Sequence, residues 1–385
     1  MARKNIAVMD FGSSRVSVLI GDRSVNGTFD VRGYAEMAYA GFMDGEILEP
    51  EKLTETLCAV VNTAQNNARC KITHLYVGVP AEFSVAEVKN VSKDYGKKKR
   101  VTEKDIDDLF VMADEYSSSP SHSVINRSPV CFELDTGERV IDPKGQITTV
   151  LSATLSFVLA QRNFLGTILQ AVSPLQIPFV EFMSETLAEN LYLIEPAERD
   201  RCAILVDCGY LTTSVSVVVG DGLVCLKSFS LGGGHIVADL VKFLEIPFGV
   251  AQELKKYATM TGQPSENEKI SLNYKGEKFT FDALAVYEIV QRKVRQIAVM
   301  ISKSLESCVY ERPDFIGVNI TGGGISYIKG VAESLKDFLG KEVTILEPQI
   351  PQMNEPRNSA VLGLLDLALR QNHARYSIFI KIFKK

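Results

Sequence analysis

The sequence predicts an α/β fold of two similar lobes, the first of them interrupted by a small α+β subdomain. Two observations carry this reading: a duplicated strand-turn-strand passage, and a change of pattern between residues 80 and 160. The first copy runs Ile6-Ala-Val-Met-Asp10-Phe-Gly12-Ser-Ser-Arg-Val16-Ser-Val-Leu-Ile-Gly21-Asp22, and the second Ile204-Leu-Val-Asp207-Cys-Gly209-Tyr-Leu-Thr-Thr-Ser-Val215-Ser-Val-Val-Val-Gly220-Asp221. Each reads as an apolar strand, an Asp-x-Gly turn and a β-branched strand closing on Gly-Asp. Matched on Val-Ser-Val, the turn after the glycine holds three residues in the first copy and five in the second. The strand ends are therefore expected to repeat and the loop to vary.

The elements follow in order. After the first hairpin, Leu53, Leu57, Val60, Val61 and Ala64 place a helix over about residues 51–68, and Leu75-Tyr-Val-Gly-Val79 reads as a buried strand. These residues, 1–79, open the first lobe. In the insert, 80–160, Thr102 with Asp105 forms a capping box for a helix whose Ile106, Leu109, Phe110 and Ala113 share a face. The basic run Lys97-Lys-Lys-Arg100 beside Asp94 and Gly96 reads as a solvated turn. A serine-rich loop, 117–123, precedes strands at 129–134 and at 151–157, where Leu151, Ala153, Leu155 and Phe157 alternate with Ser152, Thr154 and Ser156. The first lobe resumes over 161–201 with a helix near 163–172, a strand near Ile177 and a helix from Glu185 to Leu193. The second lobe, 202–356, carries the second hairpin, Leu231-Gly-Gly-Gly-His235, helices over 235–244 and 250–257, a hairpin over 270–281 and a long helix over about 282–310. His235 is expected to start its helix as a surface residue. Ile316-Gly-Val-Asn-Ile-Thr321-Gly-Gly-Gly324 then runs as a strand into a glycine loop, with a helix from about Ile328.

Composition bounds the function. A chain of 385 residues with 46% hydrophobic content can bury a core large enough for two lobes. The net charge of −5 leaves no basic excess, so generic nucleic-acid binding is not expected. Seven scattered cysteines without a C-x-x-C indicate neither a disulfide frame nor a zinc site, and so a reducing compartment. The start of the chain has too short an apolar run for a secretory signal, and no stretch approaches 18 apolar residues, so a cytoplasmic location is expected.

The chemistry lies in the repeats. Glycine lets backbone approach an anion, and Ser13, Ser14, Thr212 and Thr213 add hydroxyl donors to the loop N–H groups. Asp10 and Asp207 can hold a hydrated Mg²⁺ between them. Two such hairpins make a phosphate clamp, and the glycines at 322–324 let a flat ligand lie against backbone. There is no Walker A motif, His-Glu-x-x-His or Gly-x-Ser-x-Gly.

The order Asp10-x-Gly12, Asp207-x-Gly209, Thr321-Gly-Gly-Gly324 resembles the actin, Hsp70 and sugar-kinase superfamily, and the position of the insert is similar to subdomain 1C of the bacterial cell-division protein family FtsA. Ile246-Pro-x-x-x-Ala251-Gln-Glu-Leu-Lys255 and Pro356-Arg-Asn-Ser-Ala-Val-Leu-Gly363 extend the resemblance to about residue 372. It implies an actin/Hsp70-like fold of duplicated ribonuclease-H-like domains, with 241–310 as subdomain 2B and 357–372 as a helix returning to the first lobe. It also implies ATP with Mg²⁺ as ligands: Asp10 and Asp207 face the metal and hold it through water. Gly12, Ser13, Ser14, Gly209, Thr212 and Thr213 then lie on the phosphates, and Gln252, Lys255, Gly322, Gly323 and Gly324 on the adenosine. Glu185 falls where the superfamily often has Glu-Pro holding a metal-bound water, and with Asp207 is the candidate catalytic group.

The chain departs from that pattern where many members have Asp-x-Gly-Gly-Gly-Thr-x-Asp. Asp207-Cys-Gly-Tyr-Leu-Thr-Thr-Ser214 lacks two glycines and the distal carboxylate, so firm binding and weak or absent hydrolysis are expected. By the same resemblance Arg292, Lys293 and Arg295 occupy the region that receives the acidic C-terminal peptide of FtsZ; an ordinary charged helix face is the other reading. In the segment 373–385, Tyr376, Phe379, Ile380 and Phe383 at helical spacing, with Lys381, Lys384 and Lys385, resemble an amphipathic anchor for anionic membrane. The alternation of Ile378, Ile380 and Ile382 also fits a packed terminal strand. The expected function is an ATP-binding, actin-like cell-division protein that polymerises on the inner membrane face and tethers the FtsZ ring. The alternatives are a PilM-like envelope scaffold or a small-molecule kinase.

Overall fold

The computed structural model describes residues 6–24, 29–114, 119–310 and 315–373. Its two largest sheets have five strands each and the same order. In the first lobe, Phe179–Ser184, His74–Val79, Ile6–Phe11, Arg15–Arg23 and Phe29–Ala38 lie side by side. In the second, the order mirrored from the other edge is Gly222–Phe229, Thr213–Val219, Ala203–Cys208, Val318–Thr321 and Val343–Ile345. Each is an antiparallel three-strand meander extended by parallel strands.

The pairing register corrects the expected loop lengths. Phe11 faces Val16 and Cys208 faces Thr213, so four residues separate the last paired positions in both hairpins. Asp10 lies opposite Ser17 and Asp207 opposite Ser214. The Val-Ser-Val passages are offset by two positions along their strands, and with a side-chain period of two this keeps both on the same face. The duplication is thus tighter in structure than the residue match implied.

Strand Ile6–Phe11 is buried on both sides because helices cover both faces of its sheet. Ala7, Met9 and Phe11 pack with Leu57, Val61 and Ala64 of helix Pro50–Ala68, whereas Ile6 and Val8 pack with Val361, Leu364 and Leu365 of helix Ser359–His373. A Cβ at Gly363 would lie 2.8 Å from the backbone of Ala188, so this last helix crosses helix Glu185–Leu193 in backbone contact. The strand expected near Ile177 starts at Phe179, after the short turn Ser173–Leu175.

Between the two halves of the first lobe, strands Ser84–Arg100, Ile147–Gln161 and His122–Leu134, with the short Arg139–Val140, form a four-stranded sheet. Helix Glu103–Ala113 covers one face, its Leu109, Phe110 and Ala113 packing with Leu151, Leu155 and Phe157. Asp105 accepts from the backbone N–H and the hydroxyl of Thr102 and fixes the helix start. The strand expected to begin at Pro129 starts at His122; Pro129 is tolerated beside a register shift. Lys97 to Arg100, read as a turn, instead end the edge strand Ser84–Arg100, and Lys99 is paired with Asp105 at 2.5 Å. Charges on an edge strand discourage pairing with other chains. The insert is held to the first lobe by the Ser184 N–H on Asn126 Oδ1 and leans on the second, where Ser156 Oγ donates to Leu223 O and the Asp221 N–H to Pro129 O.

In the second lobe, helix Ala283–Glu306 is capped by Asp282, whose carboxylate accepts from Leu284 N–H, and it buries Val286, Val290, Val294, Ile297 and Ile301 along one face. Helices Gly233–Leu244 and Phe248–Lys256 pack with it. The helix expected from Ile328 begins at Val331. Cys225 and Cys308 are joined in a disulfide, against the expectation of unpaired thiols. They lie 83 residues apart in sequence, a separation that spacing alone does not reveal. Among the described residues no helix is long and apolar enough to cross a membrane. The tail residues Tyr376, Phe379, Ile380, Lys381, Phe383 and Lys384 lie outside the described residues.

Candidate functional site

The two Asp-x-Gly turns face each other where the lobes meet. The Leu211 N–H donates to Ser13 Oγ at 3.0 Å, so the loop of one hairpin touches that of the other. Gly209 N–H donates to Thr212 O, which tightens the second loop, and Thr213 Oγ1 donates to Leu231 O. Around this contact opens a cleft of about 280 Å³. Of the residues singled out by sequence, Asp10, Gly12, Ser13, Ser14, Glu185, Asp207, Gly209, Thr212, Thr213, Gly322 and Gly323 line it. Gln252, Lys255 and Gly324 do not.

Helix Glu185–Leu193 supplies a second pair of acids. Its N-cap is Ser184, whose hydroxyl accepts from Leu187 N–H. Glu185 Oε1 accepts from Phe11 N–H at 3.1 Å, and Glu189, one turn on and buried, lines the same cleft. Sequence reasoning missed Glu189. Its spacing of four from Glu185 was the available signal, since side chains four apart share a helix face. Also missed were Arg15, Tyr210 and Arg357, which complete the walls.

Four carboxylates therefore converge on the cleft, Asp10 and Glu189 buried and Glu185 and Asp207 half-buried. Burial pushes the Asp10 carboxyl up, against the opposing pull of Arg15 and of the Ser17 hydroxyl, which donates to Asp10 Oδ2. Asp207 is pushed up to about 7, by burial first and by the Asp10 charge second. Glu185 and Glu189 stand well above the carboxylate range from burial and then from the aspartates, Asp10 for Glu185 and Asp207 for Glu189. Arg15 draws both aspartates down, and it is already engaged, donating to Glu36 at 2.9 Å and to Arg357 O at 2.7 Å. Such a site favours protons or an added cation, because like charges in low dielectric disfavour joint ionisation.

The residues expected at a nucleoside are split: Gly322 and Gly323 line the cleft, whereas Gln252, Lys255 and Gly324 lie outside it. Lys255 is buried, and its ammonium donates to Gly233 O at 2.9 Å and to Gly324 O at 2.6 Å. Burial pulls its pKa down to about 8. Gln252 is exposed and hydrogen-bonded to Tyr210. His235 is half-buried, its Nδ1 accepting from Gly232 N–H, so it closes the start of its helix and does not face the cleft as a phosphate ligand would. On the outer helix, Ala283–Glu306, Lys293 is paired with Asp239 at 3.1 Å, Arg292 lies 4.3 Å over the Phe243 ring, and Arg295 lies 5.9 Å over Phe338.

Comparison with known proteins finds both sequence and structural likenesses. The family model described as "Cell division protein FtsA" matches residues 204–363. The cell division protein FtsA of Streptococcus pneumoniae serotype 2 is 22% identical over 373 residues, covering 96% of this chain and 81% of that protein. Among solved structures, a chain of the PilM-PilN type IV pilus biogenesis complex superposes with a TM-score of 0.64 at 15% identity, over 95% of this chain and 99% of that one. MreB 5 of Spiroplasma citri bound to AMPPNP gives a TM-score of 0.56 at 12% identity, over 97% and 98%. At those identities the structural likeness speaks for the fold, which is actin-like. By sequence the chain is similar to the FtsA cell-division proteins, and by fold it is actin-like.

Proposed function

We propose that the chain is an ATP-binding, actin-like protein of bacterial cell division that self-associates and links an FtsZ polymer to the inner face of the membrane. The observation that carries the nucleotide part is the meeting of two equivalent turns, with Asp10 and Asp207 at matching strand ends and Leu211 N–H on Ser13 Oγ. Asp10 and Asp207 would hold Mg²⁺ through water, since among the described residues no three His, Cys, Asp or Glu side chains are placed to hold an ion directly. The clustered carboxylates fit that role, for a divalent ion relieves their repulsion. The metal would neutralise phosphate charge. Ser13, Ser14, Thr212 and Thr213 would orient the phosphates, and Glu185, held by Phe11 N–H, would orient water.

Calorimetry on the full chain tests this. Wild type should release or absorb heat with Mg-ATP at sub-millimolar concentration, and Asp10→Ala or Asp207→Ala should each weaken binding at least about tenfold, by 1.4 kcal/mol or more. No heat at millimolar ATP would sink the reading. Turnover should stay well below the roughly 1–100 per second of kinases; robust phosphoryl transfer to a sugar would favour a kinase instead.

The partner side rests on the outer helix and the tail. Arg292 and Arg295 are exposed beside aromatic rings, a surface fit for a short acidic peptide, and the segment 376–385 has the composition of an interfacial helix. In a co-sedimentation assay with anionic vesicles and FtsZ, removing residues 374–385 should release the protein from lipid. Lys293→Glu should cut FtsZ capture several-fold in low salt and leave lipid binding intact, as a weak multivalent contact requires. Unchanged capture places the peptide elsewhere; the change also breaks the Asp239 pair, so Arg292→Glu serves as the companion variant.

A further inference from the structure

We propose that Tyr210 sets the ligand preference of the cleft, by dividing it into an open phosphate half and a closed nucleoside half. The proposal rests on the phosphate-cleft reading above. Tyr210 follows Gly209 in the second hairpin loop, and its ring lies flat on the start of helix Gly233–Leu244. A Cβ built on Gly234 would sit 2.8 to 3.1 Å from three of the ring atoms, so only glycine admits the ring there. Tyr210 O accepts from Gly234 N–H at 2.7 Å, and the Tyr210 hydroxyl is hydrogen-bonded to the Gln252 side chain. Both ends of the tyrosine are thereby fastened to the second lobe.

Behind the ring the two glycine segments are closed on the hairpin. Gly233 N–H donates to Gly209 O at 2.9 Å and Gly324 N–H to Cys208 O at 2.6 Å. A side chain at either glycine would collide with the facing backbone. Lys255 fills the remaining space: it is 3% exposed, holds the carbonyls of Gly233 and Gly324 together, and lies 5.2 Å from the Tyr327 ring. A planar nucleoside enters there only if the Tyr210 ring swings away and the ammonium gives up carbonyls it has no water to replace.

The phosphate half needs no such change. Asp10, Ser13, Asp207, Thr212 and Thr213 line the open cleft, and Tyr210 is its boundary. The volume of about 280 Å³ is at the floor of the roughly 300–1,000 Å³ of small-molecule sites, enough for an oligophosphate and short for a whole nucleotide. In the resting protein, therefore, the adenosine part of ATP adds little net affinity. What it gains in contacts is offset by opening the tyrosine, a cost carried as a reduced fraction of competent protein.

The experiment is calorimetry of the full chain with Mg-ATP, Mg-tripolyphosphate and adenosine. Wild type should bind ATP and tripolyphosphate within about tenfold of each other, and Tyr210→Gly should tighten ATP by about tenfold or more while leaving tripolyphosphate unchanged. Tyr210→Phe, which loses the Gln252 hydrogen bond and keeps the ring, should gain less than Tyr210→Gly. A wild-type preference for ATP beyond about tenfold overturns the proposal without any variant. So does a Tyr210→Gly protein that binds ATP no better, or worse, as it would if the ring were a platform for the base. If tripolyphosphate binds both proteins and Tyr210→Gly does not tighten ATP, the cleft reading survives and the role of Tyr210 falls. If neither ligand binds wild type, the phosphate cleft itself is wrong and the gate with it.

Discussion

At pH 8 and without divalent cation, the Asp207→Asn protein is expected to melt about 5 °C above wild type. The sign follows from proton linkage. Asp207 titrates near 7 in the fold against 3.8 when free, so the folded state holds more protons than the unfolded one between those values. Its contribution to stability is present below the unfolded pKa and is lost as pH rises through about 7. Asparagine keeps the shape and cannot ionise, so at pH 8 it should recover stability on the order of 2–4 kcal/mol. Isosterism matters here, because Asp207 Oδ1 lies where a Cβ on Gly322 would fall, so the side chain packs directly on that glycine. Melting curves from pH 4 to 8 should show the two proteins converging at the acid end. Mg-ATP should then stabilise wild type and do little for the variant. A variant that melts below wild type at pH 8 would mean that Asp207 is well solvated or already compensated in the fold.

Phe157→Ala should remove about 3–5 kcal/mol from the insert. Phe157 is fully buried, with its ring centroid 6.4 Å from that of Phe110 under helix Glu103–Ala113. The insert has its own small core, separate from those of the lobes, and a loss of that size is comparable with the roughly 5–15 kcal/mol that holds an average domain. Limited proteolysis should therefore cut first between residues 84 and 161 while phosphate binding at the cleft persists. If the whole chain instead becomes sensitive at once, the insert and lobes unfold as one unit.

The sequence made the hairpins, the insert and the acids Asp10 and Asp207 legible because each is signalled locally, by strand period and by Asp-x-Gly. The helix starts at Thr102 and Glu185 were legible for the same reason. What stayed hidden depends on which side chains distant segments bring together. Glu189 joins the cleft only because helix Glu185–Leu193 turns that face toward Asp207, and Arg15 and Arg357 meet across 342 residues. Cys225 and Cys308 are neighbours only once a strand and the end of a long helix are docked. Lys255 was expected at the nucleoside, and nothing in its spacing announces that its ammonium is spent on two backbone carbonyls. The strand read over 129–134 begins earlier, at His122, because the register shift beside Pro129 accommodates its missing N–H.

The insert is rooted in the first lobe at both of its ends, while its flank rests on the second lobe at Leu223 and Asp221. It spans the two lobes as a strut. Gly222 has no space for a Cβ between Val130 and Ser156, so the lobes cannot rotate about the cleft without sliding that contact or tilting the whole sheet. A stiff sheet pivoted near its base magnifies angle into travel, and the travel is greatest at the outer turn around Gly137. A small change of lobe angle around Asp10 and Asp207 would thus become a larger lateral displacement at that turn.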